Sequence, residues 1–318
     1  MNTKLFRIIV LGLSVAIVLF SVFFYTHQMY YVKPSGASNK SLESVINANS
    51  VFPINDYSRL PLIAIIDSGI YLDNPYINKT NIAQIVLDDI SEGSNKIHGT
   101  MVAGLIAANG DGSNTPKGML PNAKILSIQA GTDIGMSPHQ LSSAINIAVE
   151  KGAKVINVSS STYESSKELE ESVKAAISKG VVIVAAAGNN DKSVNGFPAA
   201  YQNVIAVSTI NENGELSYKT NFDQFHHIAA PGDKLLTTAN NKESPLTLFS
   251  GSSAATPIVT SVCTAILSKE ETWTSKEINS LLNKSAKIKT VGDKKINILD
   301  VKRMFELAHK SIRGDDCE

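Results

Sequence analysis

Val181-Val182-Ile183-Val184-Ala185-Ala186-Ala187-Gly188-Asn189 is the stretch that decides the fold. A strand with one wet face alternates apolar and polar side chains. An unbroken apolar run like this one predicts a strand covered on both faces, as parallel strands are. Gly188 lets the chain turn sharply on leaving the strand, so the Asn189 amide is presented at the strand's carboxyl end. Similar runs occur at residues 62–66, 82–87, 123–129, 154–158 and 204–208. Helical patterns lie between them. Ser137-Pro138 predicts a capped start, with Leu141, Ala144, Ile145 and Ala148 on one face and Gly152 as the stop. Ser165-x-x-Glu168 and Thr274-x-x-Glu277 read as capping boxes. Strands alternating with helices predict an α/β fold: a doubly wound, mostly parallel sheet with helices on both faces. In such a sheet the functional site lies beyond the carboxyl ends of the strands.

The composition agrees with this. A chain of 318 residues with 43% hydrophobic and 18% charged residues can bury a real core. The formal net charge is zero, so no nucleic acid is expected as a partner. The two cysteines, Cys263 and Cys317, signal neither a disulfide framework nor a metal site.

Residues 8–32 contain no Lys, Arg, Asp or Glu, and Lys4 and Arg7 precede them. That is enough for one N-terminal transmembrane helix with its charged end inside. A cleaved signal sequence is the alternative, but bulky Phe23, Phe24 and Tyr25 stand where small residues at a cleavage site belong. We therefore expect an anchor at 1–32, a linker at 33–45, one α/β domain at 46–312 and a polar tail at 313–318. The domain would face outward from a single-pass cell-membrane anchor, or be secreted in the alternative.

Four positions carry chemistry. Asp67 ends the run at 62–66 and precedes Ser68-Gly69, which places a carboxylate at the carboxyl end of a central strand. His98 opens a small-residue helix in His98-Gly99-Thr100-Met101-Val102-Ala103-Gly104. Asn189 can donate its amide to a developing oxyanion. Ser253, in Phe249-Ser250-Gly251-Ser252-Ser253-Ala254-Ala255-Thr256-Pro257, has small neighbours and is expected on the first turn of a helix, with Pro257 tolerated there. Taken singly, each has an ordinary structural explanation as a cap or a turn.

Taken together, Asp67-Ser68-Gly69, His98-Gly99-Thr100, Ala187-Gly188-Asn189 and Gly251-Ser252-Ser253-Ala254-Ala255-Thr256-Pro257 resemble the signature segments of the subtilisin-like serine peptidases, in that family's order. An α/β-hydrolase is excluded, because both partners precede Ser253 and Ala255 stands where its elbow needs glycine. The resemblance implies a serine endopeptidase acting through an acyl-enzyme. Ser253 would be the nucleophile, His98 the general base, Asp67 its orienting acid and Asn189 an oxyanion donor. It also implies an extended peptide or protein substrate, paired along Ser159, Ser160 and Ser161. The pocket before the scissile bond would be walled by Ser160, Ser161, Thr162, Gly188 and Gly196. Asn190-Asp191 at its rim leads us to expect a basic residue before the cut.

The resemblance implies no cofactor for catalysis. The loop with Asn109, Asp111 and Ser113 falls where many relatives bind calcium, but Tyr76 replaces an expected acid, which weighs against a structural calcium. The span between Phe24 and Leu60 is too short for the folding prodomain of many secreted relatives, so none is expected. Such lean members resemble intracellular subtilisins and leader peptidases that trim lantibiotic precursors, which suggests precursor processing. The alternative is a catalytically silent binding module on the same fold.

Overall fold

The structure is a computed structural model that describes residues 59–90, 95–112, 114–121, 123–190, 196–217, 220–222, 227–291 and 294–313. The anchor, the linker and the tail from residue 314 lie outside them. So do Ser113, Asp191, His226 and Cys317.

The apolar runs are strands: β1 (Ile63–Asp67), β2 (Ile82–Val86), β3 (Ile125–Gln129), β4 (Val155–Val158), β5 (Val182–Ala186) and β6 (Ile205–Ile210). Five more follow: β7 (His227–Pro231), β8 (Leu235–Thr238), β9 (Leu246–Phe249), β10 (Lys287–Val291) and β11 (Lys294–Ile298). The main sheet has nine strands in the order β10-β11-β7-β6-β5-β4-β1-β3-β2. All its pairings are parallel except the antiparallel β10–β11 ribbon. β8 and β9 form a separate antiparallel pair.

Helices cover both faces: α1 (Ile97–Ala107), α2 (Pro138–Glu150), α3 (Lys167–Ser178), α4 (Ser252–Leu267), α5 (Ser275–Ser285) and α6 (Val301–Arg313). Because side chains alternate across a strand, neighbouring residues feed different cores. Ile63 and Ile65 of β1, with Val182 and Val184 of β5, pack towards α1, α4, α5 and α6. Ala64, Ile66, Ile183 and Ala185 join Leu141, Ile145, Leu169 and Val173 of α2 and α3 on the other face. This two-sided burial is why the strands carry no alternation.

Two local expectations are corrected. The cap of α3 is Ser166, whose hydroxyl accepts from the Leu169 N–H, rather than Ser165. Glu168, freed from a capping role, instead meets the His139 ring at 2.9 Å and joins α2 to α3. Pro257 lies inside α4, in its second turn, because the helix starts at Ser252. The boxes at Ser137/Gln140 and Thr274/Glu277 are both closed.

Cys263, on α4, is buried and unpaired, and burial pushes its thiol up to about 12. At neutral pH it is an inert core residue.

Candidate active site

Asp67 is the last residue of β1 and is 2% exposed. Its Oδ1 accepts from the Ser68 N–H at 2.7 Å. Gly69 (φ +91) then turns the chain away from the strand. At Gly99 a Cβ would lie 2.3 Å from the Gly69 carbonyl oxygen, so glycine there lets the start of α1 close onto this turn. Further along α1, the hydroxyls of Thr237 and Thr238 on β8 donate to the carbonyls of Met101 and Thr100, each at 2.7 Å.

This docking carries His98, the second residue of α1, to the carboxylate. Its Nδ1 sits 2.9 Å from Asp67 Oδ1 and 3.0 Å from Oδ2. Phe249 of β9 meets the ring edge-on, with centroids 5.3 Å apart at 89°. The His98 side chain keeps 23% exposure, on the cleft side. Burial pushes its pKa down, but the Asp67 charge and hydrogen bond and the Asp133 charge outweigh this, and the net shift is upward from 6.5.

Ser253 enters the same cleft from the first turn of α4, after Gly251 at φ +106. Its hydroxyl donates to the Ser159 carbonyl at 2.6 Å rather than to the imidazole. Asn189 follows Gly188, which has φ +105 and has the Tyr163 Oη and Asn221 Nδ2 packed where a Cβ would go. The Asn189 Oδ1 accepts the Ser252 N–H at 2.9 Å, and the Gly188 N–H donates to Ser252 Oγ at 3.2 Å. With its oxygen engaged, the carboxamide has its NH2 end left to donate. A buried lattice holds these pieces: Asn157 of β4 bonds Ser159 Oγ and accepts from Thr260 of α4.

Asp67, His98, Asn189 and Ser253 thus come together at one cleft at the carboxyl edge of the sheet, with Ser159, Ser160, Ser161 and Gly188 along its wall. Chemically, the set offers a hydroxyl, an imidazole with an acid behind it and an amide donor. Five lining residues, Thr132, Asp133, Ile134, Met136 and Tyr163, lie outside the sequence-predicted positions. Asp133, Ile134 and Tyr163 all follow strand ends, and Asp133 sits in Gly131-Thr132-Asp133 directly after β3. An acid at that place in a doubly wound sheet was the available signal.

In the loop at 109–117, Asp111 Oδ1 accepts from Asn114 N, Thr115 N and Thr115 Oγ1, and Asn109 forms an antiparallel backbone bridge with Lys117. Among the described residues no three His, Cys, Asp or Glu cluster as a metal site needs.

Against known proteins, residues 59–305 match the model of the peptidase S8 group, the subtilase family. A thermophilic serine proteinase of Bacillus sp. (strain AK1) is 33% identical over 65% of this chain and 52% of its own length. The chain thus spans little more than half the length of the first curated relatives it matches. The patellamide maturation protease PatA has a TM-score of 0.67 and 26% identity over 78% of this chain and 97% of its own. The nisin leader peptidase NisP of Lactococcus lactis, at TM-score 0.70 and 21% identity over 83% of this chain and 92% of its own, shares the fold.

Proposed function

The chain belongs to the subtilase family, and on that premise we propose that it is a serine endopeptidase that processes a peptide precursor at a membrane surface. The observation that carries the chemistry is the Asp67–His98 contact at 2.9 Å, with Ser253 and Asn189 lining the same cleft. His98 takes the Ser253 proton as the hydroxyl attacks a peptide carbonyl, then returns it to the leaving amine. Asp67 holds Nδ1 protonated, so that Nε2 is the basic nitrogen. The Asn189 amide stabilises the oxyanion.

The resting bond from Ser253 to the Ser159 carbonyl has a place in this cycle. An extended substrate that adds as a strand donates its own amide to that carbonyl. The serine hydroxyl is displaced by the substrate and becomes free to turn toward His98.

The walls of the cleft suggest which residue precedes the cut. Asp191, on which a basic preference would rest, lies outside the described residues. Within them, Ser161 and Tyr163 line the cleft, whereas Thr162 and Gly196 are not among its lining residues. Gly196 sits behind Ser161, whose Cβ would lie 2.6 Å from a Cβ there, and Tyr163 Oη would lie 2.8 Å from a Cβ at Gly188. Two backbone hydrogen bonds, at 3.0 and 2.7 Å, close Thr162 onto Phe197 beside them. A pocket pinched in this way favours Ala or Ser over Phe or Arg. In matched peptides kcat/KM is expected to be highest for the small residues, and Ser161→Gly to improve Phe relative to Ala about tenfold. Faster cleavage after Phe or Arg than after Ala by the wild-type protein would remove this preference.

Precursor processing draws support from PatA, a maturation protease by name. The tether draws support from the uncharged residues 8–32. Among the described residues no helix is long and apolar enough to cross a membrane, and 8–32 lies outside them. Cells expressing the full chain should yield it in the membrane fraction, degradable by protease added outside. Recovery in the soluble fraction, or protection from that protease, refutes an outward-facing anchor.

A further inference from the structure

The first turn of a helix has amides without intrahelical partners, and a capping side chain normally takes one of them. Helix α1, which carries His98, has no such cap: Lys96 stands at the capping position in a left-handed conformation (φ 55) and makes no side-chain cap bond. The His98 N–H is instead accepted by Asp133 Oδ1 at 2.8 Å, from 35 positions away. The next amide, Gly99 N–H, goes to Ser68 Oγ at 3.1 Å. The Ser68 hydroxyl in turn donates to the same Asp133 Oδ1 at 2.8 Å. One carboxylate oxygen therefore gathers the backbone of the histidine turn and the residue that follows Asp67.

The topology makes this possible. β1 and β3 are parallel neighbours with Asp67 opposite Gln129, and Ala130 N–H donates to the Asp67 carbonyl at 3.0 Å. The loops that leave the two strands are therefore adjacent. Asp133 also lines the cleft itself.

We infer that Asp133 is a positioning residue of the peptidase, a helix cap supplied by another loop that fixes the His98 turn against Asp67. The inference rests on the proposed catalytic role of His98. The charged groups that act on the imidazole are Asp67 from β1 and Asp133 from the β3 loop; Phe249 from β9 adds none. The Asp133 charge, like that of Asp67, favours the protonated ring.

Two variants separate geometry from charge. Asp133→Asn keeps an oxygen that can accept both bonds but removes the charge, whereas Asp133→Ala removes both. Asp133→Ala is expected to lower kcat about tenfold to a hundredfold with KM nearly unchanged, since a small displacement of a general base is costly. Asp133→Asn is expected to lose less and to move the acid limb of its kcat/KM profile to lower pH. A purely structural residue would leave that limb in place.

The His98 ring proton resonances, titrated in the Ser253→Ala protein with and without Asp133→Asn, read the same effect without turnover. The midpoint should fall in the double variant. An unmoved midpoint together with an Asp133→Ala kcat within twofold of wild type overturns the role of Asp133. A wild-type protein that hydrolyses no peptide yet shows the lower midpoint in the double variant would instead count against the peptidase reading alone.

Discussion

Ser253→Ala is expected to abolish peptide hydrolysis and leave the protein folded. Removing the nucleophile of subtilisin costs about a millionfold in kcat, and a loss on that scale is expected here. The geometry argues for the fold's survival. Ser253 is only partly buried, and its hydroxyl makes one bond, to the Ser159 carbonyl at 2.6 Å. Alanine keeps the Cβ and the first-turn helix preference, and one such bond contributes about 1 kcal/mol. The carbonyl left behind opens onto the cleft, where water or substrate replaces the lost donor. Two measurements check this: kcat/KM on a cleaved peptide, and labelling by a fluorophosphonate, which should mark the wild-type protein only. Hydrolysis by the alanine variant within tenfold of wild type would place the nucleophile elsewhere. A wild-type protein that is folded but never labelled would mean a silent binding module.

Asp67→Asn should cost about 10⁴-fold in kcat, the scale seen when the acid of another serine-peptidase triad is made an amide. Both Asp67 oxygens face His98 Nδ1, at 2.9 and 3.0 Å, and so specify a proton on that nitrogen. An asparagine can turn its NH2 toward Nδ1, which then has to accept. The proton moves to Nε2, where the base needs a lone pair. The pH dependence follows from the same contacts. Burial alone would depress the imidazole, and the Asp67 charge and bond with the Asp133 charge reverse that to a net rise.

The base works when neutral. Wild-type kcat/KM should therefore fall as pH drops through a value above the ordinary 6.5 of histidine. In Asp67→Asn the main opposing charge is gone, and the acid limb of the residual activity should move to lower pH. Linkage has a definite sign here. Because the folded pKa is raised, His98 contributes stability that is fully present below its unfolded value and fades as pH rises through the folded one. The kcat/KM profiles of the two proteins test the argument. An unshifted limb, or a kcat loss below tenfold, would show that Asp67 does not govern the imidazole.

Much of this site could be read in the chain because its parts are local. Runs such as 62–66 and 181–187 have no alternation because both strand faces are covered, so their composition alone marks them as central strands. Gly188 and Gly251 mark sharp turns because their backbone angles lie where side chains are strained. The strands β8 to β11 carry little signal because they are not unbroken apolar runs: threonine, lysine or asparagine interrupts each and part of each faces solvent. The true cap at Ser166 lies one residue from an equally plausible serine, and only the bond to Leu169 distinguishes them.

The amino-acid sequence by itself determined the sheet class and the helix caps at Ser137 and Thr274, and it singled out Asp67, His98, Asn189 and Ser253, which the fold brings to one cleft. Tertiary structure alone decided that Ser253 rests on the Ser159 carbonyl, that Ser161 closes over Gly196, and that Asp133 holds the histidine turn. The reason is one of range. Burial and capping leave their pattern within a few residues, whereas the Ser68–Asp133 bond joins positions 65 apart and exists because β3 lies beside β1 in the sheet.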